Sequence, residues 1–128
     1  ARDYNDKYHP YERALQKGYH DVKQTENGGV SFEDSKALYR DQNGNKGIVK
    51  IEATGKRTPD FDAANKAMGF DKTPEGYVWH HVDDYDVKTN TVTLQLVKSE
   101  VHNATKPHSG GCAQYDAVHG PSYNKGGA

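Results

Sequence analysis

Two β-strand patterns joined by a short polar segment constrain the fold of this chain more than any other feature. Residues 76–82 read GYVWHHV, residues 91–97 read TVTLQLV, and the segment between them reads DDYDVKTN. β-Branched and aromatic residues favour strands, whereas Asp and Asn favour turns. Because side chains alternate between the two faces of a strand, one face of the second pattern carries Val92, Leu94 and Leu96. We therefore predict two strands with a turn or extended loop between them.

A strand and a helix are predicted before this pair. The segment GIVKIEATG, residues 47–55, alternates apolar and charged residues and ends at a glycine. In the helix that follows, Thr58 is a candidate N-cap, Pro59 would occupy the first helical position, and Gly69 would close the helix. The spacing predicts one inward-facing set of side chains: Phe61, Ala64 and Met68.

A short helix is predicted after the second strand pattern. Ser99 offers an N-cap, His102 would lie within the helix, and Pro107 should terminate it because proline cannot continue a helix. The resulting order is strand, loop, strand, helix. Residues 1 to about 30 are polar and tyrosine-rich with a possible short helix, and we expect residues 120–128 to form a disordered tail.

Length and composition limit the kinds of site that the chain could build. A chain of 128 residues, a third of them hydrophobic, forms one domain with a modest core. The single cysteine, Cys112, excludes an internal disulfide and a multi-cysteine zinc site. Any metal ion must therefore be held by histidine and carboxylate side chains.

The charge and hydropathy of the chain also restrict its partners. A net charge of −1 gives no bulk basic signal for nucleic acid, although Lys98 and Lys106 flank the later histidines and Arg57 follows another lysine. No apolar run approaches the roughly 20 residues that cross a bilayer. The chain begins at Ala1, and we expect a domain excised from a longer polypeptide.

The histidines are concentrated in the part of the chain around the strand pair. Five of the seven lie between His80 and His119. In a regular strand His80 and His81 would point to opposite faces, so both can serve one site only if the strand ends there and the loop bends. The acidic turn makes such a bend plausible. One imidazole could then bind a metal ion while its neighbour moves a proton.

His102 and His108 are a second pair of candidates. Six residues of ideal helix turn through about 600 degrees, which leaves two side chains roughly 120 degrees apart. The pair could converge only because Pro107 breaks the helix between them. Zinc and other divalent ions accept neutral imidazole readily.

Two other arrangements compete with this histidine site. The segment DDYDVKTN mimics part of a calcium loop, but Lys88 stands in the middle and the required glycine is absent, so a solvated turn is favoured. Cys112 and His119 are a possible nucleophile pair, but the small, glycine-rich surroundings favour an ordinary loop thiol.

Three stretches together carry a family resemblance. The runs TGKRTPDFDAANKAMG, TPEGYVWHH and LQLVKSEVHNATKPHSGG resemble the WHH family of toxin nucleases, in the HNH/endonuclease VII (His-Me finger) superfamily. The resemblance extends from about Ile48 to Gly111, and its elements are specific in combination. It implies an α+β fold: a small domain built on a ββα-metal finger at residues 76–111, with an additional strand and helix before it.

The resemblance also implies domain limits and residue roles. Residues 1–46 would be a polar, variable N-terminal extension, residues 47–119 the nuclease domain, and residues 120–128 the tail. His81 would be the general base, and Gln95, on the strand face opposite the leucines, would help to hold the loop. The remaining roles would be metal binding by His80, His102 and His108, and phosphate contact by Arg57, Lys98 and Lys106.

The implied activity is hydrolysis of DNA phosphodiester bonds, with little sequence specificity and one divalent ion, Mg²⁺, Mn²⁺, Ni²⁺ or Zn²⁺. Such domains form the C-terminal part of large secreted bacterial proteins and act in the cytoplasm of a competitor cell. A cognate immunity protein neutralises them. We expect a monomeric domain cleaved from a larger toxin. Two alternatives stay open: an RNase on the same finger, and a non-catalytic, metal-stabilised module that binds a protein. His81 discriminates, because a purely structural site has no use for an extra imidazole beside a ligand.

Overall fold

A computed structural model describes residues 10–27, 29–105 and 110–123 of the chain. The described part has an α+β fold with two antiparallel sheets and several helices, which confirms the predicted fold class. In chain order the elements are α1 (Pro10–Gln16), β1 (Lys23–Gln24), β2 (Val30–Ser31), β3 (Ile48–Glu52), α2 (Arg57–Met68), β4 (Tyr77–His81), β5 (Thr91–Lys98), α3 (Ser99–Ala104) and α4 (Gly110–His119).

The larger sheet contains the two strands predicted from the histidine-bearing segment. Its order is β3-β5-β4, with β5 in the centre and β4 at an edge. His80 is paired with Gln95, and His81 with Leu94. The ladder continues past the end of β4, since the Val82 N–H donates to the Thr93 carbonyl over 2.9 Å. The chain therefore stays extended for one residue beyond the histidines.

One face of this sheet packs against α2. Leu94 and Leu96 are completely buried there, and burying a leucine side chain stabilises a fold by about 1.5–3 kcal/mol. Trp79 points to the same face, where its indole N–H donates to Asn65 Oδ1 over 2.9 Å. The inward face predicted for α2 is confirmed, because three of its side chains pack into this cluster: Phe61, Ala64 and Met68.

The opposite face of the sheet is covered by the N-terminal region. The β1-β2 hairpin and α1 form a second apolar cluster with Val97 of β5 and Val101 of α3. Phe32 lies at its centre and is completely buried. The predicted domain limit at residue 46 stays a prediction, but buried apolar side chains between residues 14 and 38 belong to the core. The physical reason is that a three-stranded sheet with apolar side chains on both faces needs a cover on each.

The helix ends differ in part from the sequence prediction. α2 begins at Arg57, and its N-cap position is Lys56, which makes no side-chain cap, so Thr58 is inside the first turn and is not the cap. α3 begins at Ser99 itself and ends at Ala104, before Pro107, which lies outside the described residues. Gly69 closes α2 as predicted, with a left-handed backbone at φ 79° that glycine adopts without strain.

The C-terminal region is more ordered than the sequence suggested. α4 occupies residues that we expected to form a glycine-rich loop. Residues 120–123 then fold back onto the domain, and Tyr123 is only 4% exposed, although we expected a disordered tail from residue 120. Residues 124–128 lie outside the described part. No helix in the described ranges is long and apolar enough to cross a membrane.

Candidate active site

His80 lies on the face of the sheet that the N-terminal hairpin covers. Its Nε2 is 3.0 Å from the carbonyl oxygen of Val30, and its ring meets Phe32 edge-on at 5.1 Å between centroids. A carbonyl can only accept, so Nε2 carries the proton and donates it. Nδ1 is then the lone-pair nitrogen of this ring, which is the form of imidazole that a metal ion binds.

His102 of α3 is the neighbour that makes His80 a candidate metal ligand. The two rings are 5.3 Å apart between centroids and inclined by 63°. Two imidazoles on one tetrahedral ion, with metal–nitrogen distances of about 2.1 Å, have their ring centres roughly 5 Å apart. A backbone carbonyl on the far nitrogen, as Val30 provides, is the usual orienting contact of a metal-bound histidine. The pair therefore fits a divalent ion.

The described residues do not include a complete set of metal ligands. Within residues 10–27, 29–105 and 110–123, no group of three or more His, Cys, Asp or Glu side chains is arranged to hold a metal ion. The predicted third ligand, His108, lies outside those ranges. Its role stays a prediction.

His81 lies on the other face of the sheet. Its Nε2 is 2.9 Å from Asp60 Oδ2, and its ring packs against Phe61 at 5.7 Å and Tyr123 at 5.3 Å between centroids. The bend that would turn both neighbouring imidazoles into one cluster is not observed, because the ladder continues through Val82. The structure brings His80 together with His102, and His81 together with Asp60.

Asp60 is the central hydrogen-bond acceptor beside His81. This carboxylate is completely buried, and Oδ1 accepts the N–H of Thr54 over 2.9 Å and its hydroxyl over 2.6 Å. Oδ2 accepts from His81 and from the hydroxyl of Tyr123. Burial by itself raises the pKa of Asp60, but the hydrogen bonds from His81, Thr54 and Tyr123 outweigh it and hold the pKa below its usual value.

The segment after α4 holds Tyr123 against this carboxylate. Asp116 Oδ1 accepts the N–H of Ser122 over 3.1 Å and that of Tyr123 over 3.0 Å. Arg57 Nη1 donates to the Tyr123 carbonyl over 2.7 Å. Burial, followed by the hydrogen bond to Asp60, raises the pKa of the Tyr123 phenol well above its usual value. Tyr123 is therefore a neutral donor over the whole physiological pH range.

The histidine-bearing segment matches a known family. Residues 69–117 match the model of WHH, a nuclease of the HNH/ENDO VII superfamily with conserved WHH. We call residues 69–117 the WHH segment. No curated protein and no solved structure matched the chain. The family supports a nuclease activity and, in general, the use of a divalent metal ion.

Gln95 of the WHH segment contacts a different element from the one predicted. We expected it to help to hold the loop at residues 83–90, but Oε1 accepts the Phe32 N–H over 2.8 Å and Nε2 donates to Ser31 Oγ over 3.0 Å. The strand face is the predicted one, opposite Leu94 and Leu96. Since β2 also carries the carbonyl that accepts from His80, Gln95 positions the partner of a candidate ligand.

The two predicted phosphate contacts that lie in the described ranges, Arg57 and Lys98, belong to different elements. Arg57 is at the start of α2 and contacts Tyr123. Lys98 is exposed and lines an open groove of about 590 Å³ that also contains Lys36, Asp21 and Glu100, so the charge there is mixed. Lys106 lies outside the described residues.

Cys112 and His119 do not form a nucleophile pair. The thiol is buried on α4 and not in a loop, and burial raises its pKa to about 12. Such a thiol is protonated at neutral pH and is a poor nucleophile. His119 is 2.8 Å from the hydroxyl of Tyr85 instead.

Sequence reasoning missed Asp60 and Tyr123 as parts of the site. An aspartate in the first turn of a helix is common because its negative charge interacts favourably with the helix dipole. The sequence alone therefore gave no reason to assign Asp60 any other role. A lone tyrosine in a polar, glycine-rich tail gives no periodic signal. The single cue was the aromatic ring itself, which is costly to leave in water.

Proposed function

We propose that the chain is a metal-dependent endonuclease that hydrolyses the phosphodiester bonds of DNA with little sequence specificity. The observation that carries the proposal is the approach of His80 and His102, 5.3 Å between ring centroids, within the segment that matches the WHH family. One imidazole comes from the first strand of the predicted finger and the other from the helix after the second strand.

His80 and His102, with His108 as the third ligand, would hold one ion, Mg²⁺, Mn²⁺, Ni²⁺ or Zn²⁺. When bound, the ion would supply positive charge to the phosphate and to the leaving 3′ oxygen. The protein's own contribution is orientation. The Val30 carbonyl holds Nε2 of His80, so that Nδ1 is the nitrogen that binds.

His81 would act as the general base. Its Nε2–H is held by Asp60, so Nδ1 takes the proton from the attacking water. The water oxygen forms a new bond to phosphorus, the bond to the 3′ oxygen breaks, and that oxygen is protonated by solvent. His80 and His81 are consecutive on an edge strand, with Cα atoms about 3.8 Å apart. The two rings lie on opposite faces of this strand, so the proposal requires the phosphate to bind at the strand edge, between the two faces.

We also propose the biological context that the resemblance implies. The domain would act as an antibacterial toxin, released as a monomer from a larger secreted bacterial protein into the cytoplasm of a competitor cell. A cognate immunity protein would protect the producer. Arg57, Lys98 and Lys106 would contact substrate phosphates. The toxin nucleases that the histidine-bearing runs resemble support this context.

A non-catalytic, metal-stabilised module is the second candidate, and one observation favours it. His80 is 2% exposed and His81 is 7% exposed. The hydrogen bond from His81 to Asp60 also gives the second imidazole a structural role. We had expected that a purely structural site would have no use for this imidazole.

The test is nicking of a supercoiled plasmid by protein stripped of metal and then supplied with Mg²⁺, Mn²⁺, Ni²⁺ or Zn²⁺. The variant is His81→Ala, and the matched control is His20→Ala, which removes an exposed histidine far along the chain from the WHH segment. Metal-dependent nicking that is lost only in His81→Ala supports the nuclease. Cleavage of RNA but not of DNA would make RNA the proposed substrate. If the folded, metal-bound protein cleaves neither nucleic acid, the non-catalytic module is the better account.

A further inference from the structure

We propose that Asp60 is a positioning residue for His81, and that Tyr123 holds the Asp60 carboxylate in place. The proposal rests on the function proposed above, in which His81 is the general base. It adds two residues that lie outside residues 69–117, the segment that matches the WHH family.

Hydrogen bonds hold the Asp60 carboxylate in one orientation. Both of its oxygens are engaged: Oδ1 by two donors of Thr54, and Oδ2 by His81 and Tyr123. The side chain is completely buried. Rotation would leave buried donors without an acceptor, which is unfavourable. The oxygen that faces His81 is thus held by contacts on every side.

Oδ2 of Asp60 would determine which ring nitrogen of His81 carries the proton. A carboxylate accepts from Nε2–H, so the proton stays on Nε2 and the lone pair stays on Nδ1. A carboxylate in this place also stabilises the positive ring that forms when a histidine takes a proton, as in hydrolases that pair histidine with aspartate. Asp60 would therefore set both the orientation and the proton-accepting atom of His81.

The positioning contacts come from distant parts of the chain. Thr54 follows β3, Asp60 belongs to the first turn of α2, and Tyr123 follows α4. The Tyr123 ring also packs against the His81 ring at 5.3 Å between centroids. The C-terminal segment would thus complete the surroundings of the base.

One readout is independent of catalysis. ¹⁵N NMR of the metal-free protein at neutral pH reports which ring nitrogen of each histidine carries the proton, and His81→Ala identifies the signals of His81. We expect His81 in the Nε2–H form. Finding the Nδ1–H form would overturn the positioning role whether or not the protein is a nuclease.

The second readout is kinetic. We expect Asp60→Asn to lower kcat about 10- to 100-fold, the usual effect of losing such a supporting contact, with KM and metal affinity within twofold of the wild type. Asp62→Asn, an exposed site on the same helix, is the matched control and should change none of these. An unchanged kcat, or a loss of kcat matched by an equal loss of folded protein, would show a merely structural role.

A further variant covers the case in which Asp60→Asn does not fold. Tyr123→Phe keeps the ring against His81 and removes only the hydroxyl from Asp60, and we expect kcat to fall about 2- to 10-fold with KM unchanged, as for a weaker supporting contact. An unchanged kcat would remove Tyr123 from the proposal. If the wild-type protein cleaves no nucleic acid with any ion, the proposed function fails, whereas the NMR experiment still decides the orientation of His81.

Discussion

Nε2 of His81 lies 2.9 Å from Oδ2 of Asp60, although the two residues are 21 positions apart. The contact joins the edge strand of the sheet to the first turn of α2, and both side chains are buried. His80, the next residue along the chain, faces His102 across the other side of the sheet. Proton transfer and metal binding are thus assigned to opposite faces of one strand.

Loss of the His81 ring should separate catalysis from metal binding. We expect His81→Ala to abolish cleavage and to leave metal affinity unchanged, because His80 and His102 lie on the other face. Stability should fall by about 1–3 kcal/mol, since Asp60 loses a buried partner. Plasmid nicking, calorimetric metal titration and urea unfolding measure the three effects. Simultaneous loss of metal binding and of the fold would rule out the assignment of His81 as base.

Loss of the His102 ring should have the opposite effect. We expect His102→Ala to weaken binding of Zn²⁺ or Ni²⁺ at least tenfold, because one of two adjacent imidazoles is removed. The ¹⁵N signals of His81 should not move. Calorimetry and NMR on the same sample provide the comparison, and undiminished metal affinity would exclude the His80 and His102 pair as ligands.

Close packing of α4 against the finger should make Gly111 intolerant of a side chain. A Cβ at this position would lie 2.5 Å from the Val82 carbonyl oxygen and 2.6 Å from Val92 Cγ2. We expect Gly111→Ala to destabilise the fold by about 1–3 kcal/mol through overpacking. The control is Ala117→Ser, at an exposed position on the same helix. Equal midpoints of urea unfolding for the two variants would contradict this close packing.

The C-terminal segment should contribute to stability through its contact with α2. Arg57 donates to the Tyr123 carbonyl over 2.7 Å, and a hydrogen bond with a charged donor contributes about 1.5–3 kcal/mol. We expect Arg57→Ala to lower the free energy of unfolding by an amount in this range, whereas Lys56→Ala, next to it and exposed, should have little effect. If Arg57→Ala instead weakens DNA binding at unchanged stability, phosphate contact is its main role.

The lowered pKa of Asp60 predicts a specific acid sensitivity. A carboxyl group whose pKa is lower in the folded protein than in the unfolded chain stabilises the fold above the unfolded value, near 3.9. That stabilisation is lost as the pH falls through the lower, folded value. We expect urea unfolding between about pH 2 and pH 5 to show a shallower acid decline for Asp60→Asn than for the wild type. Parallel curves would argue against the hydrogen-bonded, ionised carboxylate.

Local sequence patterns were sufficient for the elements that carry the histidines. The alternation in residues 91–97 predicted β5 and its buried face, Gly69 marked the end of α2, and the acidic segment marked the connection between β4 and β5. These features depend on periodicity and turn chemistry over a few residues, which a single sequence displays directly. The clustering of histidines along the chain likewise indicated the WHH segment.

Only the tertiary structure decided which groups meet each histidine. The predicted bend after His81 depended on the pairing of Val82, and that pairing keeps the two rings on opposite faces. Val30 reaches His80 from 50 positions away, and Tyr123 reaches Asp60 from 63 positions away. Such contacts are selected by the burial of apolar surface over the whole chain, which also orders the N-terminal region and residues 120–123. The sequence by itself determined the strands, the turn and the histidines, whereas the packing of distant segments decided the partner of each ring.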